Sequence, residues 1–122
     1  MYLINRIAAI LKPTQPFVDW INKSNPDEET ITLDEVQQDC TVILVPEFEF
    51  PEETIPYIES NYSVIFKDEL ADWCDDDNQL PQNRSLEMFR QWINIELHSM
   101  VYDTQEDPIE KEDTEADETG MN

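Results

Sequence analysis

The stretch CTVILV, residues 40–45, decides the fold class, because it is the clearest β-strand in the chain. Its centre is β-branched and aliphatic, and Pro46, which lacks a backbone donor, closes it. A continuous apolar run is typical of a strand that is covered on both faces or is central in its sheet. The stretch therefore predicts a sheet with helices packed against it.

A second apolar run, LINRIAAIL at residues 3–11, lies upstream and contains Arg6 as its only charged residue. A strand and a short helix both fit this run. The stop at Lys12-Pro13 and the short length favour a central strand.

The residues between these two runs predict a connection that contains helices. Thr14 is a suitable N-cap and Pro16 suits the first turn of a helix that Asn25 and Pro26 end. The pair Thr32 and Glu35 has the spacing of a capping box and predicts a very short second helix. If the two strands are neighbours joined by this crossover, they are expected to run parallel with a right-handed connection.

Downstream of the second strand, the period of the apolar residues changes to three or four. Pro51 opens the longest predicted helix, which runs to about Cys74. Ser85 is the predicted N-cap of another helix through about Asn94, and residues 95–103 alternate as a last strand. The fold class is therefore α/β (α+β), a two-layer sandwich in which helices cover one face of a small three-stranded sheet.

Charge separates the chain into two predicted parts. Of the 29 acidic and seven basic residues, residues 105–122 hold eight acids and one lysine. Residues 1–104 keep 21 acids and six bases, a net charge of −15, and are predicted to form a single acidic domain. The segment 105–122 has too few apolar residues to offset the entropy of ordering, so we predict a disordered acidic tail.

The net charge of −22 also limits the classes of partner. Such a field repels phosphates and anionic lipid surfaces, so we expect no direct nucleic-acid binding and no membrane association. The apolar run at residues 7–11 is too short for a signal sequence or a membrane span. With no export signal and no CxxC spacing, Cys40 and Cys74 are expected to be free thiols of a cytoplasmic protein.

Three blocks of the chain carry a resemblance to a known group of proteins. The blocks are KPTQPFVDW (12–20), VPEFEFPEE (45–53) and RSLEMFRQWINIELHSMVYD (84–103). They resemble the signature blocks of a family of small acidic bacterial proteins of unknown function. The resemblance covers about residues 4–104, and it implies a bacterial cytoplasmic protein without assigning any catalytic residue.

His98 is the first candidate for acid–base chemistry, because it is the only histidine. On a strand, Glu96 and His98 share a face and Ser99 points to the other, so these neighbours alone do not build a nucleophilic relay. Cys40 begins an apolar strand, and Cys74 lies beside three aspartates that suppress its thiolate. We therefore expect no catalytic set among these residues.

Cofactor sites are equally poorly supported by the sequence. The run from Asp75 to Asp77 suggests a hard cation, but Leu80 and Leu86 occupy the positions where an EF-hand loop needs glycine and glutamate. The only glycine, Gly120, lies in the predicted tail, so phosphate-cradling loops are absent. We expect no metal and no other cofactor.

The aromatic residues favour binding over catalysis, because Trp and Tyr are frequent interface anchors. The leading hypothesis is a non-enzymatic protein-binding module, or an acidic inhibitor or regulator of a partner with a basic surface. One alternative is a small enzyme or metal-dependent protein that uses His98 with nearby acids, and another is a homodimeric structural protein. The candidate binding residues are Trp20, Phe48, Trp73, Trp92 and His98.

Overall fold

The N-terminal apolar run forms the centre of a small antiparallel sheet in a computed structural model that describes residues 1–114. In chain order the elements are β1 (Tyr2–Leu3), β2 (Arg6–Pro13), α1 (Gln15–Ser24), α2 (Leu33–Val36), β3 (Thr41–Pro46), α3 (Thr54–Ser60), α4 (Tyr62–Ala71), α5 (Leu86–Trp92), β4 (Ile93–His98) and β5 (Tyr102–Asp103). Short 3-10 turns span Pro51–Glu53 and Asp77–Gln79. Helices cover one face of the main sheet, which confirms the predicted two-layer α+β class.

The three-stranded sheet has the order β3-β2-β4. Strand β2 is central, as predicted, and its residues Ala9 and Leu11 are buried beneath the helices. Strand β3 is an edge strand, so the expectation that residues 40–45 are covered on both faces or central was wrong. Val42 and Leu44 on its outer face are 54% and 46% exposed. The continuous apolar run did not reveal this open face because it lacks the polar residues that normally mark one.

Strands β2 and β3 run antiparallel, which corrects the predicted parallel crossover. Leu11, near the end of β2, pairs with Thr41 at the start of β3. After α1 the chain turns back along this helix, because the Asn22 side chain of α1 forms hydrogen bonds with the backbone of Ile31. Gln37 then donates a hydrogen bond to the Pro13 carbonyl across 2.7 Å, so α2 ends beside the end of β2. A strand that starts there must run back in the opposite direction.

The helix predicted from Pro51 to about Cys74 is divided into α3 and α4 by Asn61. The Asn61 side chain donates to the Tyr57 carbonyl across 3.0 Å, and the Ser60 hydroxyl donates to the same carbonyl across 2.7 Å. Side chains that bond this carbonyl compete with the helical backbone bond and favour a break. Both helices still bury their apolar faces in the one core.

The C-terminal strand predicted over residues 95–103 is also divided. Strand β4 follows directly from Trp92, and β5 pairs with β1 in a separate two-stranded ribbon. The Ile4 backbone amide donates to the Val101 carbonyl across 3.0 Å and joins the ribbon to the connection before β5. Residues 105–114 contain no helix or strand, and the rest of the predicted tail, residues 115–122, lies outside the described residues.

The buried core lies between the sheet and the helices. Its largest fully buried side chains include Phe17, Phe66 and Phe89, and Trp92 contacts both Phe17 and Phe66 with ring centroids 5.9 and 5.8 Å apart. Ile58 and Leu70 bring α3 and α4 into the same core. Within residues 1–114, no helix is both long enough and apolar enough to cross a membrane.

Candidate functional site

A groove of about 520 Å³ lies where the end of α1 and the segment after it face the loop after α4. Among residues 1–114, five carboxylates line this groove and no lysine, arginine or histidine does: the acids are Glu28, Glu29, Asp72, Asp75 and Asp76. The half-buried Trp73 and Cys74 also line it. We refer to it as the acidic groove.

Two asparagines fix one wall of the acidic groove. Asn22 forms two hydrogen bonds with the backbone of Ile31, one as donor and one as acceptor, each of 2.9 Å. Asn25 ends α1 and donates its side-chain amide to the Ile21 carbonyl across 2.9 Å and to the Trp73 carbonyl across 3.4 Å. These bonds hold the segment that carries Glu28 and Glu29 against the loop after α4.

The opposite wall is shaped by a short capped turn. The Asp76 carboxylate accepts a hydrogen bond of 2.9 Å from the Asn78 amide at the start of the second 3-10 turn. The Cys74 thiol lies 3.7 Å from both the Asp76 carbonyl and the Gln79 side-chain oxygen. Because these oxygens engage the thiol as a donor, Cys74 serves the loop conformation and is poorly placed as a nucleophile.

A second depression of about 440 Å³ adjoins the acidic groove and shares Ser24 and Gln79 with it. Trp20, Met88 and Trp92 form most of its apolar wall, and we refer to it as the tryptophan depression. The ring centroids of Trp20 and Trp92 are 6.3 Å apart. Both side chains are partly buried and also pack against the core, so each contributes to the wall and to the stability of the fold.

The structure therefore brings together three of the five predicted binding residues. Trp73 lines the acidic groove, and Trp20 and Trp92 line the tryptophan depression. Phe48 lies elsewhere, where its ring packs against Tyr57 with a centroid distance of 5.4 Å. His98 lies on the sheet face that points away from the helices, as its pairing with Ala8 of β2 shows.

His98 belongs to a short charged row on that sheet face. Its Nε2 atom lies 2.7 Å from a Glu96 oxygen, and the Lys12 ammonium lies 3.6 Å from the other Glu96 oxygen. The hydrogen bond with His98, followed by the charge of Lys12, lowers the pKa of the Glu96 carboxyl. Among the described residues no serine, threonine or cysteine is hydrogen-bonded to His98, so a nucleophile for a catalytic relay is not in place.

Cys40 lines a smaller cavity of about 150 Å³ together with Glu69. Burial raises the pKa of the Cys40 thiol, and burial likewise raises the pKa of the Glu69 carboxyl. A raised thiol pKa suppresses the reactive thiolate, which disfavours Cys40 as a nucleophile. Within residues 1–114, no group of three or more histidine, cysteine or acidic side chains is arranged to hold a metal ion.

No local pattern in the sequence brings Glu28, Glu29 and Asp72 together, because the two acidic runs that contain them are more than 40 residues apart in the chain. Both runs directly follow an amphipathic helix of the same layer, and this shared position was the available signal. Carboxylates without a basic neighbour favour a cationic side chain, and an adjacent indole adds a cation–π interaction.

A comparison of the chain with protein-family models, with curated proteins and with solved structures finds no match. The resemblance carried by the three sequence blocks therefore stays a prediction, and the geometry of the site is the basis for inferring a function.

Proposed function

We propose that this protein is a non-enzymatic protein-binding module that engages a basic surface and thereby inhibits or regulates its partner. The observation that carries the proposal is the acidic groove, which in the described part of the chain is lined by five carboxylates and by no basic side chain. An arginine or lysine of a partner that enters the groove meets carboxylates on both walls. The partner is therefore a protein with clustered basic residues on its surface.

The wall of the groove supports recognition of a side chain with an aliphatic stem and a cationic end. Trp73 follows Asp72 in the chain and both line the groove, so an entering guanidinium has a carboxylate and an indole within the same groove. The neighbouring tryptophan depression offers the apolar surface of Met88 and Pro81 to an adjacent residue of the partner. Lys23 also lines this depression, so a basic end is favoured in the acidic groove and an apolar side chain in the depression.

The charge of the whole chain supports fast association with such a partner. A net charge of −22 creates a long-range field that steers a basic protein toward the surface. The same field repels phosphates and acidic lipids, which supports a cytoplasmic protein that acts on proteins without direct contact with nucleic acid or membranes. Binding is expected to weaken as salt screens the charges.

The alternative of a small enzyme centred on His98 has less support. The side chain of His98 is 54% exposed on the sheet face and is hydrogen-bonded to Glu96. None of the cavities described above includes His98, whereas general acid–base catalysis needs a site that holds the substrate against the base.

A titration with a short oligoarginine peptide, followed by calorimetry, tests the proposed function. The test variant carries Glu28→Gln, Glu29→Gln and Asp75→Asn, which neutralises three acids of the groove. The control variant carries Glu47→Gln, Glu49→Gln and Asp68→Asn, which makes the same change of charge at exposed positions outside it.

Both variants lose the same amount of long-range attraction, so the difference between them isolates the groove. We expect the groove variant to bind the peptide more weakly than the control variant by on the order of tenfold, which corresponds to about 1.4 kcal/mol. Equal affinities for the two variants would show that peptide binding depends only on the net charge of the protein. The proposal that the acidic groove is the binding site would then be wrong.

A further inference from the structure

The sheet face that points away from the helices is open to solvent. Alternation along the strands places Ala8 and Ile10 of β2 on this face, and register places Val42 and Leu44 of β3 beside them. On the other side of β2, Glu96 and His98 of β4 continue the face. We refer to these residues, with Arg6 and Lys12, as the open sheet face.

Exposed apolar surface continues from this face to the ribbon formed by β1 and β5. A cavity of about 350 Å³ joins the two regions and is lined by Tyr2, Ile4, Leu44 and Ile109. Most of the exposed large apolar side chains of the described chain lie here: Met1, Tyr2, Leu3, Val42, Leu44, Met100, Tyr102 and Ile109. On the ribbon, register places Tyr2 on the side that lines the cavity and Leu3 and Tyr102 on the other side, so Tyr2, Leu44 and Ile109 connect the two regions. Exposed apolar surface of this kind is typical of an interaction site.

The open sheet face together with its adjoining cavity is nearly balanced in charge within a very acidic molecule, since the cavity adds Lys111 and the three acids Asp103, Glu106 and Asp107. Its strand residues include two permanent cations, Arg6 and Lys12, against the single acid Glu96. Within residues 1–114, Arg6 is hydrogen-bonded only to Asn5 and forms no ion pair with a carboxylate. A surface with a near balance of charge does not attract a basic partner as the acidic groove does, and it is the surface through which two acidic copies repel each other least.

We propose that the open sheet face and the ribbon form the isologous interface of a homodimer. Two copies that each carry a charge of −22 repel one another in most orientations. Contact through this face avoids that repulsion and lets Arg6 or Lys12 of one copy face Glu96 of the other. A two-fold arrangement provides two such reciprocal contacts.

The size of the surface explains why the ribbon takes part. Three strands of about six residues present a face of roughly 14 by 20 Å, or about 300 Å². A stable interface buries about 800 Å² on each partner, so the sheet face alone is too small. The ribbon supplies further apolar area, and a ribbon with two residues in each strand gains stability when a partner covers it.

The dimer interface is separate from the acidic groove, which is built on the helical layer. A dimer therefore presents two acidic grooves, and a partner with two basic sites would bind with an affinity increased by effective concentration. The existence of the dimer does not depend on the proposed function, because a dimer forms through this face whether or not the grooves bind anything.

Sedimentation equilibrium of the full chain over a range of protein and salt concentrations tests the proposal. We expect the unaltered protein to form dimers and the dimer to tighten as salt is added, because screening reduces the repulsion between two acidic copies. Added salt should therefore strengthen dimerisation, whereas it should weaken the binding of oligoarginine. A monomer under all conditions, high salt included, would overturn the proposal.

Two pairs of matched variants locate the interface. Leu44→Asp places a charge on the open sheet face, and Val64→Asp makes the same change at a residue of α4 that is 57% exposed. Lys12→Glu reverses a charge on the face, and Lys67→Glu reverses one on the exposed side of α4.

We expect Leu44→Asp and Lys12→Glu to raise the dimer dissociation constant by at least about tenfold relative to their controls. Equal dissociation constants within both pairs would overturn the proposed interface. Circular dichroism checks that each variant is folded. If Leu44→Asp does not fold, the charge-reversal pair decides the question alone.

Discussion

Trp20 donates its indole N–H to the backbone carbonyl of Gln79 across 3.2 Å, and this bond joins α1 to the loop between α4 and α5. Gln79 lines both the acidic groove and the tryptophan depression. The bond therefore holds Gln79 in place at the boundary between the acidic groove and the tryptophan depression. We refer to this boundary as the ridge. Trp20 has two roles, since its ring also meets Phe17 edge-on with a centroid distance of 5.9 Å.

Replacement of Trp20 by Phe removes this hydrogen bond and keeps an aromatic ring beside Phe17. We expect a loss of about 0.5–1.5 kcal/mol in the free energy of unfolding, which is the range for one neutral hydrogen bond. Because the ridge is no longer fixed, oligoarginine binding should weaken as well. Urea denaturation measures the change in stability, and the calorimetric titration measures the change in oligoarginine affinity. An unchanged affinity for oligoarginine would show that the Trp20 hydrogen bond does not contribute to the binding site.

Glu69 gives the protein a specific dependence on pH. Its residue is 8% exposed, and burial raises the pKa of its carboxyl, while the nearby Thr41 hydroxyl acts in the opposite direction. A carboxyl whose pKa is higher in the folded state binds more protons there than in the unfolded state. This group therefore makes the protein less stable as pH rises from the ordinary carboxyl pKa through the raised folded pKa.

The change Glu69→Gln removes this effect while keeping the shape of the side chain. We expect the variant to be more stable than the unaltered protein at neutral pH, and the gain should disappear as pH falls below the ordinary carboxyl range. Thermal unfolding at several pH values measures the difference. Glu47→Gln, at an exposed position whose charge is not among those that shift the pKa of Glu69, is the control, and a gain of equal size there would assign the effect to net charge.

The buried aromatic cluster predicts a large cost for the change Phe66→Ala. Phe66 is fully buried and meets Phe89 and Trp92 edge-on, with centroid distances of 5.7 and 5.8 Å. Loss of the ring should reduce the free energy of unfolding by about 3–5 kcal/mol. The exposed Phe50 serves as the control, and Phe50→Ala should stay within about 0.5 kcal/mol of the unaltered protein. Similar losses in both variants would contradict the core assignment.

The capping box at α2 gives a smaller, local prediction. The Glu35 amide donates to the Thr32 hydroxyl across 3.2 Å, and the Glu35 carboxylate accepts from the Thr32 amide across 3.0 Å. Thr32→Ala should cost about 1 kcal/mol, the usual value for loss of an N-cap. Thr30→Ala, two residues earlier and outside any helix, should cost much less. Equal effects in chemical denaturation would mean that the cap adds nothing to stability.

Local signals in the sequence predicted much of the fold. The Thr32 capping box and the Ser85 N-cap each involve residues three apart, so their pattern is complete within one turn. The direction of β3 was not predictable in this way, because it depends on the return of the chain after α1. The break at Asn61 was missed because the apolar period continues through it, while the side-chain bonds that cause it leave no mark in that pattern.

The candidate site was predictable only in part, for a related reason. The three tryptophans were predicted as binding residues from their residue type alone. The structure places all three around the ridge at Gln79. The acidic groove combines Glu28 and Glu29 with Asp75, and these meet only because α1 and α4 end on the same side of the helical layer. Residues that are so far apart in the chain cannot be linked by a local sequence pattern.

The most direct test of the central claim follows the indole N–H signals of Trp20, Trp73 and Trp92 by NMR during a titration with oligoarginine. We predict a saturable shift of the Trp73 and Trp20 signals, together with the backbone amides of Glu28 and Glu29, while the amide of Leu44 on the open sheet face stays unchanged. A shift spread over all exposed acidic residues, with the Trp73 signal unmoved, would contradict the claim that the acidic groove binds a basic partner.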